Sequence, residues 1–109
     1  MNVIVTGGGG FIGSNLIDFL LNEKKIKKII IIDIFNLGFR NINHLKKNKK
    51  VKIVKKDINK IKATDANFID IDCVFHLAAL ADIVPSIIDP IKYMETNVMG
   101  TTKILEIAR

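Results

Sequence analysis

Nine residues, Thr6-Gly7-Gly8-Gly9-Gly10-Phe11-Ile12-Gly13-Ser14, decide how the rest of the chain is read. Ahead of them Asn2–Thr6 (NVIVT) is a short β-branched run, which predicts a buried strand. Behind them the apolar period becomes helical: Phe11, Ile12, Leu16, Phe19 and Leu20 recur at helical spacing, with Asp18 and Glu23 off the stripe. A strand therefore hands over to a helix through a run of glycines. Such a turn accepts positive φ and keeps Cβ atoms out of the way of a pyrophosphate. The helix behind it offers free N–H groups and the positive end of its dipole. Gly7, Gly10 and Gly13 fit the spacing, as do Gly8, Gly10 and Gly13, and Gly13 predicts close approach of the helix to the sheet. A mononucleotide phosphate loop is excluded. Gly8 and Gly13 have its separation, but the residue after Gly13 is Ser14, so no lysine reaches the β- and γ-phosphates.

Outward from this turn the chain keeps alternating. Lys28–Asp33 (KIIIID) is apolar through Ile32, as a central parallel strand covered on both faces must be. Asp33 ends it about 20 residues beyond Gly13, where an acid meets the ribose hydroxyls of an adenosine. Ile34–Arg40 reads as a loop broken at Gly38, and Asn41–Lys47 as a short helix. Val51–Lys56 alternates apolar and basic residues, which predicts an edge strand. Asn59–Ile71 predicts a loop with one helical turn, and Cys73–Ala78 a further apolar strand. Pro85 and Pro90 punctuate a loop, and Ile91–Ala108 reads as a helix through Tyr93, Met94, Val98, Thr101, Leu105 and Ala108. Strands alternating with helices imply right-handed crossovers and a parallel sheet. The expected architecture is α/β: the first half of a doubly wound, Rossmann-type sheet, strand order 3-2-1-4, with flanking helices. One dinucleotide-binding domain spans residues 1–109, and the last helix is still running at Arg109, so the chain reads as truncated.

Composition narrows the partners. With 49% hydrophobic and 26% charged residues, the chain has the balance of a folded globular domain. The net charge of +6 raises the question of nucleic acid. Its lysines cluster at Lys24–Lys28 and Lys46–Lys62 without interleaved aromatics or a recognition motif, so they read as solvated surface, and no nucleic acid is expected. Cys73 is the only cysteine, which rules out an intrachain disulfide and fits a reducing, cytoplasmic location. A small buried residue at a strand start is the expected role of Cys73. The N-terminus lacks the charged region of a signal peptide, and no apolar run reaches membrane-spanning length. His76 has no metal partner at ligand spacing and is expected to pack at a strand end, with His44 facing solvent and no metal bound.

The residues together resemble the extended short-chain dehydrogenase/reductases, and within them the NAD-dependent epimerase/dehydratases. Six matches occur in order along the chain. Thr6–Ser14 looks like that family's cofactor loop, with Phe11 and Ile12 as backbone contacts to the pyrophosphate. Asp33 matches the ribose acid, and Asn36–Gly38, with Asn36 and Gly38 as contacts, falls in the adjoining adenosine loop. Asp57 and Ile58 resemble the pair that contacts adenine. His76-Leu77-Ala78-Ala79 looks like the string lying along the nicotinamide half, so Leu77, Ala78 and Ala79 are implied contacts. Ser86 and Asp89-Pro90 match the start of the next helix. Asn97-Val98-Met99-Gly100-Thr101 resembles the NVxGT string, whose asparagine contacts the cofactor region and braces the site. Ile34 departs from the pattern, since the family often has asparagine directly after the ribose acid.

The resemblance implies NAD as cofactor, taking a hydride from a sugar C4 and returning it, as in UDP-glucose 4-epimerase. It also implies a UDP- or dTDP-linked nucleotide sugar as substrate and a homodimeric parent enzyme. The family's catalytic set is Ser or Thr with Tyr-x-x-x-Lys; Tyr93 is the only tyrosine, and Asn97 stands where the lysine belongs. No catalytic residue is therefore assigned within residues 1–109. Three readings stay open: part of an epimerase, dehydratase or decarboxylase; a non-catalytic NAD-binding regulatory module; and an inactive truncated reading frame.

Overall fold

A computed structural model describes residues 1–109 in full. Four strands form: β1 (Asn2–Thr6), β2 (Lys28–Asp33), β3 (Val51–Lys55) and β4 (Cys73–His76). All pair in parallel in the order β3-β2-β1-β4, with Thr6 level with Ile32 and His76, and Asp33 level with Lys55. Period-2 alternation sorts their side chains onto two faces. Val3, Val5, Ile29 and Ile31 pack with Ile17, Leu20, Phe35 and Ile42 on one side, while Ile4, Ile30 and Ile32 pack with Ile58, Ile61 and Ile104 on the other. Ile29–Ile32 are fully buried, so β2 is the central strand that its unbroken isoleucine run predicts. Each such side chain contributes about 1.5–3 kcal/mol of hydrophobic stabilisation. β3 is the expected edge strand, with Lys52 and Lys55 exposed.

The helices are α1 (Phe11–Leu21), α2 (Ile83–Ile88), α3 (Pro90–Met94) and α4 (Thr101–Ala108), with a π-helical stretch, Glu95–Gly100, joining the last two. The predicted 91–108 helix is thus present, but widened by that π turn. Three expectations need correction. The buried face of α1 is Gly13, Ser14, Ile17 and Leu20, whereas Phe11, Ile12 and Phe19 are exposed. Gly13 touches the turn before it, and residues four and seven positions later follow it onto the sheet. Pro85 sits inside helix α2 rather than in a loop, at the third helical position, where a backbone N–H has no helical partner to lose. Cys73 is half-buried rather than buried, because β4 lies at an edge and no strand covers its outer side.

The irregular stretch after β3 contains two short 3₁₀ turns, Ile58–Lys60 and Ala66–Phe68. Asp57 caps the first by accepting from the Asn59 N–H, and Asp65 caps the second by accepting from the Asn67 N–H. Burial pushes the Asp65 carboxyl up, but the Lys56 ammonium at 2.5 Å and the Asn67 donors outweigh it and hold Asp65 below the usual carboxylate range. No helix is long and apolar enough to cross a membrane.

Candidate functional site

Because every strand runs the same way, the loops after Thr6, Asp33, Lys55 and His76 share one edge of the sheet. The strand order reverses between β1 and β4, and the crevice outside their C-terminal ends is where such sheets bind ligands. The glycine turn occupies that crevice.

Each glycine there has a different reason. Gly7 has φ of +69°, and a Cβ on it would lie 2.7 Å from Ala78 N, in the loop after β4. A Cβ on Gly8 would strike Ile31 and Ile17, and one on Gly9 the Phe35 ring at 2.9 Å. Gly13 would place its Cβ against the Gly7 carbonyl oxygen and 2.7 Å from Gly8 Cα, so α1 is pressed onto the turn itself. Gly10 differs: its φ is an ordinary −78°, and its Cβ would meet only Gly7 O, at 3.4 Å. The protein's own packing does not require glycine at Gly10, and space is left open there beside the turn. Beside it the N–H groups of Phe11 and Ile12, in the first turn of α1, have no carbonyl partner. The turn's shape and its donors both fit a pyrophosphate.

Asp33 reaches this turn from the end of β2. Its Oδ2 accepts from Gly9 N–H at 2.9 Å and its Oδ1 from Phe35 N–H at 2.7 Å. Asn41 Nδ2 donates to Gly9 O at 3.0 Å, so the peptide groups on both sides of Gly9 Cα are held. Phe35 adopts the left-handed region at φ +53° and stacks on Phe39 with ring centroids 4.4 Å apart. Each Asp33 oxygen keeps a lone pair for a further donor, as a ribose-binding acid needs.

The other residues named from sequence fall into two groups. Asp57, Leu77, Ala78 and Ala79 lie in loops leaving the same sheet edge, and Asn97 lies on the helical stretch behind the last three. Asn36 and Gly38 are in the loop after β2, exposed, with nothing within 4 Å of a Cβ on Gly38; Phe35 rather than Asn36 packs against the turn. The Ile58 side chain is turned into the core beneath Gly100, so only its backbone is left for a ligand.

Asn97 was expected as a brace, but sequence reasoning missed the other side chains that tie these loops together. The Thr6 hydroxyl, fully buried, accepts from Leu77 N–H at 3.1 Å and Ala78 N–H at 3.2 Å, and lies 2.7 Å from His76 Nδ1. His76 Nε2 lies 3.0 Å from Thr101 Oγ1, which donates to Asn97 O at 2.6 Å. The Asn97 side chain bonds both Leu80 N–H and Leu80 O, at 2.8 Å each. Burial holds the His76 imidazole below its ordinary pKa, favouring the neutral ring. A threonine immediately before the glycines was the one available signal. The Tyr93 hydroxyl donates to Asp82 O at 2.8 Å, a structural bond.

Known proteins match this arrangement. A putative UDP-glucose 4-epimerase of Methanocaldococcus jannaschii is 38% identical over 98% of this chain and 33% of its own length. UDP-glucuronic acid decarboxylase 1 of Arabidopsis thaliana is 34% identical over 100% of this chain and 24% of its own. Among solved structures, a dTDP-glucose 4,6-dehydratase from Streptomyces venezuelae with NAD bound has a TM-score of 0.89 at 28% identity, covering 99% of this chain and 35% of that one. The UDP-glucuronic acid 4-epimerase of Bacillus cereus, in complex with NAD, scores 0.84 at 33% identity, covering 98% and 35%. The chain thus spans about a third or less of the proteins it matches. The family model described as GDP-mannose 4,6 dehydratase matches residues 4–109, and the chain belongs to that family, within the NAD-dependent epimerase/dehydratases.

Proposed function

We propose that residues 1–109 are the NAD-binding portion of an enzyme that epimerises, dehydrates or decarboxylates a UDP- or dTDP-linked sugar. The observation that carries this reading is the open cradle at Gly10, flanked by the free N–H groups of Phe11 and Ile12 and by Asp33. Bound NAD would supply a reversible hydride acceptor for the sugar C4, the chemistry of a UDP-glucose 4-epimerase. The chain's own residues bind and orient. The amides of α1 hold the pyrophosphate, Asp33 accepts from the ribose hydroxyls, and the Leu77–Leu80 backbone walls the far side. The carboxylate of Asp33 also repels a 2′-phosphate, which favours NAD over NADP. Gly7, Gly13, Asn36, Gly38, Asp57, Ile58, Ala79 and Asn97 complete the assigned contacts and braces, with Ile58 acting through its backbone. A homodimeric parent and a cytoplasmic location belong to the same reading, as does a lack of turnover by residues 1–109 alone, the last because Tyr93 has no lysine partner to make it a base.

The test is calorimetric titration of the chain with NAD and NADP, followed by assay for conversion of UDP-glucose. NAD binding tighter than NADP, without conversion, supports the reading. Absence of NAD binding, or conversion by the chain alone, overturns it.

A further inference from the structure

Counting donors around Thr101 fixes a proton that no distance reports directly. The Thr101 hydroxyl gives its one hydrogen to Asn97 O at 2.6 Å, so toward His76 Nε2, 3.0 Å away, it can only accept. The ring proton therefore sits on Nε2, and the bare Nδ1 accepts from the Thr6 hydroxyl, 2.7 Å away. The Thr6 oxygen in turn takes the Ala78 N–H and a share of the Leu77 N–H, which also bonds the Thr6 carbonyl. Thr101 in turn donates to Asn97 O, and the Asn97 amide clamps both backbone groups of Leu80. One directed chain of hydrogen bonds runs from the loop after β4, through the residue preceding the glycine turn, to the π-helical stretch and back to Leu80.

We propose that His76, as the Nε2–H tautomer, is a positioning residue that holds the Leu77–Leu80 wall in register with the glycine turn for NAD binding. This rests on the function proposed above. Gly7 shows why register matters there, since its Cα side faces Leu77 and Ala78 too closely for any Cβ. Protonation of Nδ1 sets two donors, Nδ1–H and the Thr6 hydroxyl, against each other, and three N–H groups then converge on one oxygen. The charged ring has no compensating partner. Thr6 on β1 and Thr101 on α4 are neutral. Asp72 and Cys73 lie at the opposite end of β4, Asp72 about 13 Å along the strand. Lys103 on α4 is bonded to the Asn59 carbonyl.

The test uses the chain itself, with NAD as probe. Long-range proton–nitrogen NMR of the imidazole reads the tautomer, and the Leu77 and Ala78 amide signals report the wall. The expected result is an Nε2–H ring, with both amides shifting and losing exchange protection as His76 protonates. NAD affinity should weaken about tenfold over the same pH interval, the scale of one or two lost hydrogen bonds. His76→Gln, which keeps a donor toward Thr101, should bind NAD within a few-fold of the parent and without that pH dependence. His76→Phe should bind about tenfold more weakly. An Nδ1–H tautomer overturns the proposal, as does a folded His76→Phe chain with parental NAD affinity. Should His76→Phe fail to fold, the tautomer and amide titration of the unmutated chain decide. A parent that binds no NAD at any pH refutes the function proposed above and, with it, the NAD role of His76, whereas the NMR readings separately show whether the hydrogen-bonded joint exists.

Discussion

Gly13→Ala and Gly10→Ala make the same chemical change three residues apart, and the structure predicts opposite consequences. At Gly13 the new methyl overlaps the Gly7 carbonyl oxygen and sits 2.7 Å from Gly8 Cα and 3.0 Å from Gly7 C. All three are backbone atoms of a turn pinned by Asp33, Asn41 and the Leu77–Ala78 loop, so nothing yields cheaply. Overpacking of this kind costs about 3 kcal/mol, the upper end of the usual range. Alanine returns about 1 kcal/mol in helix propensity, leaving a net loss of about 2 kcal/mol. For a domain of this size that lowers the thermal midpoint by about 8–16 °C. At Gly10 the nearest atom is 3.4 Å away and φ is ordinary, so Gly10→Ala should change stability by less than about 1 kcal/mol, chiefly through poorer capping. The methyl there fills the cradle instead, and NAD affinity should fall by tenfold or more. Thermal melts followed by circular dichroism, with NAD titration of both variants, separate the two effects. A Gly13→Ala midpoint within 2 °C of the parent, or an undiminished NAD affinity for Gly10→Ala, would refute the reasoning.

Asp33→Ala removes the acceptor for Gly9 and Phe35, each bond to a charged group contributing about 1.5–3 kcal/mol, so both stability and NAD affinity should drop. With the carboxylate gone and Lys55 level with that position, the NAD-over-NADP ratio should collapse toward one; an unchanged ratio in parallel titrations counts against Asp33 as the discriminator. His76 has a folded pKa below its unfolded value of about 6.5, so the unfolded chain binds more protons in between. Its contribution to stability should be complete above pH 6.5 and be lost as pH falls through the folded pKa, measured by urea midpoints across pH. Asp65, whose folded pKa is lowered, should add a second loss as pH falls below the ordinary carboxylate range, and Asp65→Asn should remove that acid limb. Asn97→Asp keeps an acceptor for Leu80 N–H but sets a carboxylate against Leu80 O, so amide exchange at Leu80 should quicken by tenfold or more.

The sheet order and the place of the glycine turn were legible because they follow from patterns of one residue type. An unbroken Ile29–Ile32 run needs two covered faces, and a glycine run after NVIVT needs a strand-to-helix turn. The exposed Phe11 and Phe19 were not legible, because α1 is rotated by the Gly13 contact rather than by its own apolar stripe. Pro85 signals a break only in the interior of a helix, and it stands in the first turn. The Thr6–His76–Thr101 chain joins residues up to 95 positions apart, and no local spacing encodes such a link.

The two edges of the sheet are chemically unlike. β3 carries Lys52, whose ammonium donates to Asn67 Oδ1 at 2.7 Å, and the exposed Lys55, so any strand docking there would bring its backbone beside two ammonium groups with no carboxylate partner. β4 carries Cys73, Val74, Phe75 and His76, with no charge along it, beside a groove lined by Phe68, Ile71, Ile104 and Ile107. Backbone pairing is therefore penalised on one flank and invited on the other. The sheet has a direction: a strand approaching it meets less charge on the β4 side than on the edge beside Asp33.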